Sequence, residues 1–311
     1  MAGGQERALR RRIRSVQSTR KTTHAMELIA GSRIMRAQAR IAASKPYVEG
    51  LERLAADLAG SPEAVGQRFC TPADPTSGVA VVVVAGDRGL SGPYNVSVLR
   101  AAEVALAEHR EAGREARLLA VGRKANGYLR FRGYEVHEIF TGITERPEWH
   151  DIEGIGAALL EAFDEGRIGE AEIVSTRFFS VGTQKVERRP LFPIAAGEAA
   201  RFDFVTEPET DALMEMLGPR VVEARLFLAL LEASASEYAA RQRAMKAATD
   251  NADELVRNLR RVMNRARQDS ITTEIMDIVG GAEALRAKQR TRLPALPRLR
   301  GGAGAAGGAS R

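Results

Sequence analysis

Apolar side chains recur along the first part of the chain at the spacing of a helix that pairs with another helix. From Ala30 onward they are mostly separated by three or four residues or by sums of these steps, which is the spacing of a coiled-coil seam. The pattern predicts a helix from about Glu6 to Leu58 that contains one proline, Pro46. The apolar or small positions are Leu9, Ile13, Val16, Met26, Ala30, Ile34, Ala37, Ile41, Val48, Leu51, Ala55 and Leu58.

A second long helix is predicted near the other end, from about Pro219 to Leu285, without an internal proline. A helical segment over Glu209 to Leu217 comes before it, so Pro219 suits a first-turn position or a kink. At ~1.5 Å per residue, a helix of about fifty residues is roughly 75 Å long. Such helices exceed the width of any globule that this chain could build. The pattern therefore predicts that they pair and protrude as a shaft.

Between the two helices the hydrophobic pattern changes period. The run Val79 to Ala85 predicts a buried strand, and the glycine-rich turn GDRGLSGPYN follows it. Strands and helices then alternate, which predicts a mostly parallel, three-layer, Rossmann-like α/β domain. The further predicted elements are helices over 96–111, 124–132 and 152–164, strands over 117–121, 134–140 and 172–179, and an extended edge segment over 185–194.

These patterns divide the chain into five predicted segments. The first 60 residues form an N-terminal coiled-coil helix, and the proline-containing segment 61–78 is a linker. Residues 79–206 form the α/β domain, and 207–287 form a C-terminal coiled-coil helix. The tail 288–311 is rich in Pro, Gly, Ala and Arg, which predicts disorder. A polyproline ligand or a membrane-surface anchor are alternatives for the tail.

Charge and composition narrow the class of partner. The net charge is +6 and the sequence pI is about 9.7, which favours an acidic partner such as nucleic acid, an anionic membrane or an acidic protein. The single cysteine, Cys70, excludes an intrachain disulfide. The start of the chain has no apolar signal core, and Val79 to Ala85 falls far short of the ~20 residues that span a bilayer. We therefore expect a soluble protein that can dock on a membrane complex.

One turn has the position of a nucleotide site but not its motif. The turn from Gly86 to Gly92 follows a buried strand and precedes a helix, where a dinucleotide pyrophosphate would bind. Its spacing is G-x-x-G-x-x-G and no G-K-[ST] follows, so a structural turn is the favoured interpretation. We predict no catalytic, metal or cofactor site, because the histidines lie in unrelated elements. They are His24, His109, His137 and His150.

Four stretches together resemble the γ subunit of F-type ATP synthase. The resemblance covers Ala2 to Leu285 in order, and its two terminal motifs are long and specific. The stretches are IRSVQSTRKTTHAMELIAGSRIMRAQ (13–38), AGDRGLSGPYN (85–95), MKAATDNA (245–252) and NRARQDSITTEIMDIVGGAEAL (264–285).

The resemblance implies a rotor rather than an enzyme. In that family the terminal helices form an antiparallel coiled coil inside a ring of α and β subunits, and catalysis resides on the β subunits. The α/β domain forms a foot with the ε subunit on the membrane c-ring. The implied partners are the α, β, ε and δ subunits and the c-ring, with one copy per complex and no nucleic acid. The implied location is the cytoplasmic face of the bacterial cell membrane, as a peripheral protein.

Motif matches also carry residue roles. Met26 lies at the family's methionine that faces the moving lever of the β subunit, and Glu207 matches an acidic residue near the c-ring contact. Four polar residues of the last motif correspond to the contacts with the catch loop of the β subunit: Arg267, Gln268, Thr272 and Glu274.

Three other functions stay open at this point. A divergent accessory γ subunit with weakened coupling would fit the departures at Thr22, His24 and Asp269, which replace the family's usual residues. A nucleotide-dependent enzyme would use the Gly86 to Gly92 turn and would bind nucleotide tightly. A basic coiled-coil protein that binds nucleic acid would show a steep dependence of affinity on salt.

Overall fold

A computed structural model describes residues 2–61, 67–71, 74, 77–196, 207 and 209–292 of the chain. Half of the predicted linker 61–78 and most of the predicted tail 288–311 lie outside these residues. Five helices and five strands occur within them: α1 (Ala2–Ala59), β1 (Val79–Val84), α2 (Tyr94–Glu111), β2 (Ala116–Val121), α3 (Arg123–Phe131), β3 (Glu138–Phe140), α4 (Trp149–Asp164), β4 (Glu170–Phe178), β5 (Gln184–Phe192) and α5 (Thr210–Arg292).

The strands form one sheet in the order β3-β2-β1-β4-β5. The first four strands are parallel, and β5 joins the edge antiparallel to β4. The central strand β1 is buried on both faces, as its unbroken run of valine and alanine requires in a parallel sheet with helices on each side. The register places Val79 beside Ala116 on β2 and beside Glu170 on β4.

The sheet is the middle of three layers. One face, with Val79, Val81 and Val83, packs against α2 and α3. The other face, with Val82 and Val84, packs against α4, the start of α5 and the end of α1. The predicted three-layer α/β domain is therefore confirmed.

The chain divides into two compact units, Met1–Ser18 with Asp253–Arg311, and Thr19–Ala252. In the first unit, Ile13 packs against Val256 and Leu259. In the second unit, the hydroxyls of Thr23 and Thr249 lie 2.8 Å apart.

Further contacts within the second unit give the direction of the helix pair. Arg33 contacts Tyr238, and Glu52 contacts Arg225. Residue numbers fall along α5 as they rise along α1, so the predicted antiparallel helix pair is confirmed.

Both prolines of the long helices lie inside them. Pro46 lies within α1, and α5 is continuous through Pro219 rather than restarting there. A proline inside a helix removes one backbone hydrogen bond. At Pro219 the buried neighbours Met214, Val221 and Val222 offset this cost, whereas Pro46 lies on a mostly exposed stretch of α1. The ring of Phe69 packs so closely on Gly218 that a Cβ there would overlap it.

Strand β3 is shorter than the predicted 134–140. The turn after α3 uses Gly133, at φ 83°, and the Tyr134 amide donates to the Leu129 carbonyl at 3.0 Å. This closing turn of the helix keeps residues 134–136 from pairing with β2. The His137 amide donates to the Leu118 carbonyl of β2 at 2.9 Å, and the strand ladder begins at Glu138. The other predicted elements of the α/β domain agree to within three residues, and the predicted edge segment is β5. Helix α1 begins four residues before its predicted start, and α5 extends nine residues before and seven residues beyond the predicted 219–285. No helix in the described ranges is both long and apolar enough to cross a membrane.

Candidate functional site

The carboxyl end of β1 is held by a buried carboxylate, Asp87. Its Oδ1 accepts the Arg123 amide at 3.1 Å, and its Oδ2 accepts the Gly142 amide at 2.9 Å. Oδ2 also accepts the Thr144 amide at 3.2 Å and the Thr144 hydroxyl at 2.8 Å. Burial by itself raises the pKa of Asp87, but these four hydrogen bonds outweigh it and lower the pKa below 3.8. Asp87 thus joins the β1–α2 turn to α3 and to the β3–α4 loop as an anion.

A second buried carboxylate, Glu237 of α5, lies against the same turn. A Cβ at Gly86 would stand 2.6 Å from Glu237 Oε1, so this position has no room for a side chain. Burial raises the pKa of Glu237 to about 7; the paired Arg241 opposes that rise, while the nearby charges of Glu145 and Asp87 add to it. Arg241 also reaches the Gly89 carbonyl at 3.4 Å. The place where a dinucleotide would approach the turn therefore contains side chains of α5.

The predicted catch-loop residues lie on an exposed part of α5 in the first unit. All four residues are exposed and lie 7 to 14 positions before Gly281: Arg267, Gln268, Thr272 and Glu274. Arg267 and Glu274 are two helical turns apart and so share one face, while Gln268 and Thr272 are one turn apart on a neighbouring face. The Thr272 hydroxyl donates to the Gln268 carbonyl at 3.0 Å, which leaves its oxygen lone pairs facing outward as acceptors.

Large apolar side chains are exposed beside these polar residues. Such a mixture of exposed isoleucine, methionine, arginine and glutamine on one helix is typical of a surface that contacts another protein. The exposed apolar residues of this segment are Val262, Ile271, Ile275, Met276, Ile278, Val279 and Leu285.

The remaining two predicted contacts lie in the second unit. Met26 is half-buried on α1, and Glu207 is exposed just before α5. Within the described residues the structure thus groups the four catch-loop candidates on one segment and places Met26 and Glu207 on separate elements.

Sequence reasoning missed the residues that fix the β1–α2 turn. Asp87 and Glu145 bind groups distant in the chain. Glu237 pairs with Arg241 on its own helix but packs on the distant Gly86, so no local motif assigns these residues to the turn. One signal was present: Glu237 stands among small residues in ASASEYAA, and a carboxylate in such a stretch of a packed helix needs a partner.

Comparison with known proteins gives the family. The ATP synthase family model matches residues 5–285. The ATP synthase gamma chain of Parafrankia sp. (strain EAN1pec) is 45% identical over 295 residues, which cover 91% of this chain and 98% of the relative. The gamma chain of Saccharopolyspora erythraea is 44% identical over 303 residues, which cover 90% and 97%. This chain belongs to the ATP synthase gamma-chain family.

Solved structures agree in fold. A chain of the Euglena gracilis mitochondrial ATP synthase (OSCP/F1/c-ring, rotational state 3) superposes with a TM-score of 0.65 at 16% identity, covering 95% of this chain and 99% of that one. A central stalk/c-ring chain of Tetrahymena thermophila gives 0.58 at 21% identity, covering 73% and 99%. The resemblance found in the four motifs is confirmed, and the γ chain is a central-stalk subunit of an F-type ATP synthase.

Proposed function

We propose that this γ chain transmits torque from the membrane c-ring to catalytic sites on the β subunits and is not itself a catalyst. The observation that carries the proposal is the exposure of the motif residues Arg267, Gln268, Thr272 and Glu274 on a helix that also exposes apolar side chains. Groups that bind a partner must be accessible, and these residues have no other structural use within the described part of the chain apart from the hydroxyl of Thr272.

The chemistry of the four residues suits a contact that forms and breaks. Arg267 and Gln268 can donate hydrogen bonds to carboxylate or carbonyl oxygens of a β-subunit loop, and Glu274 can accept them. Directional hydrogen bonds favour one partner at a time. The basic side chains of α1 add an attraction that salt screens and that several acidic partners can share.

The absence of catalysis is supported by the β1–α2 turn. Glu237 and Arg241 fill the place where a nucleotide phosphate would meet the turn, and Glu237 already lies too close to Gly86 to leave room for one. We therefore assign the α/β domain, about residues 79–206, a mechanical role as the foot of the stalk, with residues 207–287 and 1–60 as the shaft.

The partners follow from the same proposal. The foot contacts the ε subunit and the c-ring, with Glu207 near the ring, and the shaft contacts the α and β subunits, with Met26 facing the β-subunit lever. The δ subunit belongs to the same complex, which contains one copy of this chain on the cytoplasmic face of the cell membrane.

Two experiments test the proposal. A tagged chain should co-purify with α, β and ε subunits, and purification of the chain alone from its own host would contradict it. In membrane vesicles, the double variant Arg267→Ala with Gln268→Ala should lower ATP synthesis while the complex still assembles. Arg265→Ala removes the same charge from the same helix segment and should leave synthesis near the wild-type rate. Equal synthesis in both variants would overturn the assignment of Arg267 and Gln268.

A further inference from the structure

One face of α1 meets the β3–α4 loop through three contacts at regular intervals. The α1 residues are seven positions apart, so they lie along one side of the helix. Their partners are alternate residues of the loop and of the first turn of α4. We call these six residues the loop strip: Arg33 binds Glu145, Arg40 donates to the Pro147 carbonyl, and Tyr47 packs edge-on against Trp149 with ring centroids 6.3 Å apart.

Glu145 joins three elements at one end of the loop strip. Its Oε2 binds Arg33 at 3.1 Å, and its Oε1 binds Arg88 of the β1–α2 turn at 2.9 Å. Its backbone carbonyl accepts the hydroxyls of Ser234 at 2.9 Å and of Tyr238 at 3.1 Å, both on α5. The single residue therefore contacts both long helices and the sheet's central turn.

The other end of the loop strip is also tied to α5. Trp149 packs against Phe227 of α5 with ring centroids 5.2 Å apart. The start of the same loop is fixed to the sheet, because Asp87 accepts the amides of Gly142 and Thr144. The start of the loop is thus held to the sheet, and both ends of the loop strip contact α1 and α5.

The apolar contacts of α1 in this region fix its rotation about the helix axis less well than the contacts of the loop strip do. Its buried residues here include Ala30, Ile34 and Ala37, two of which are among the smallest side chains. Hydrophobic packing is non-directional, whereas a hydrogen bond or a charge-assisted pair fixes direction within narrow angles. A smooth helix face packed by burial alone resists separation better than it resists turning.

We propose that the loop strip is a positioning element that locks the rotational register of α1 to the α/β domain. Torque applied to the foot then turns α1 together with the sheet instead of slipping past it. The inference rests on the proposed function and adds to it the contacts inside the chain through which the turning force passes. Arg33, Arg40 and Glu145 are positioning residues here, because they act through the helix and not on any reacting group.

The test uses the assembled ATP synthase in inverted membrane vesicles, with Arg33→Gln, Arg40→Gln and Glu145→Gln made in the full chain. The readout is the ratio of proton-driven ATP synthesis to ATP hydrolysis per assembled complex. We expect this ratio to fall about threefold or more in each variant, while hydrolysis and the amount of γ chain in the complex stay near wild type. A residue with a purely structural role would lower the amount of assembled complex and leave the ratio unchanged.

Two matched variants sharpen the result. Arg36→Gln removes the same charge from the same helix at a residue that makes no ion pair with any described residue, so its ratio should change less than that of Arg33→Gln. In the double variant of Arg33 and Glu145 the ratio should fall by less than the product of the two single falls, because each single change already breaks the pair between them. If Glu145→Gln fails to assemble, Arg40→Gln carries the test, since it leaves Glu145 and all its contacts in place.

The outcomes separate this inference from the proposed function. If the wild-type chain assembles and supports synthesis but Arg33→Gln and Arg40→Gln keep a normal ratio, the loop strip has no positioning role. An equal fall in Arg36→Gln would likewise overturn it, because total charge and not register would then set coupling. If the wild-type chain supports no synthesis in an assembled complex, the proposed function itself fails.

Discussion

Replacing Asp87 by alanine should produce one of the largest losses of stability available at a polar position in the second unit. The Asp87 residue is 7% exposed, and its carboxylate accepts four hydrogen bonds from Arg123, Gly142 and Thr144. Three of these donors are backbone amides of two different segments. No other described side chain accepts these three amides, so the substitution leaves them without their partner.

The magnitude follows from those donors. Each buried donor left without a partner costs roughly 1–3 kcal/mol, and water entering the vacated space recovers part of this. We therefore expect Asp87→Ala to lower the free energy of unfolding by about 4 kcal/mol. Asp87→Asn keeps the shape and one acceptor oxygen, but its NH₂ group faces donors that the second carboxylate oxygen accepts in the wild type. We therefore expect it to lower the free energy of unfolding by about 2 kcal/mol.

Urea denaturation followed by the fluorescence of Trp149, the only tryptophan, measures this loss within the second unit. Asp164→Ala is the matched control, because its side chain is 54% exposed and pairs with Arg68 at the surface. That substitution should cost no more than ~1 kcal/mol. If Asp87→Ala lowers the free energy of unfolding no more than the control does, the loss does not come from buried donors left without an acceptor.

The pH dependence gives a second check on Asp87. Its folded-state pKa is lowered below 3.8, so its contribution is present above pH 3.8 and is lost as the pH falls through the folded pKa. The wild-type chain should therefore lose more stability than Asp87→Ala when the pH is taken below that value. Parallel acid titrations of the two chains would contradict this.

Three further predictions concern other buried side chains. The raised pKa of Glu237 gives stability that is present below pH 4.5 and lost as the pH rises through about 7. In Glu237→Gln the free energy of unfolding, measured by the same urea assay, should therefore change less between pH 4.5 and 7 than in the wild type. Phe69→Ala, at a residue 2% exposed against Phe163, should cost about 3–5 kcal/mol by urea denaturation. Ile13→Ala should cost ~2 kcal/mol or more in the first unit and speed amide hydrogen exchange over residues 253–263.

The sequence predicted the elements well wherever one hydrophobic period continued without competition. The valine run of β1 and the three- and four-residue steps of α1 each admit one structure, and the observed bounds follow them. Prediction failed at Tyr134, where the apolar pattern suggests a strand but the turn at Gly133 holds the chain against α3. At Pro219 the sequence did not decide between the first turn of a helix and a kink inside one. Local propensity favours a helix start, but burial in the folded protein can keep a proline inside a helix.

The candidate site was predictable only in part. Exposed contact residues such as Arg267 and Glu274 came from motif resemblance, and their roles stay predictions. The ties between elements could not be found in this way, because Arg33 and Glu145 are separated by 112 positions and each is an ordinary surface residue type. Charge pairs of this kind depend on the final packing of helices on the sheet, which pattern alone does not encode.

The β1–α2 turn shows how an α/β sheet can serve as a mechanical part. In a sheet of this strand order, ligands bind at the carboxyl ends of the strands beside the first turn. Here Gly86 meets Glu237 there, and α5 is buried on all sides from Leu230 to Ala240. Opening a ligand cleft would require this helix to move off the sheet and expose its apolar residues together with Glu237. The position that holds a ligand in other sheets of this strand order here attaches α5 to the sheet. A rotor needs such a rigid attachment.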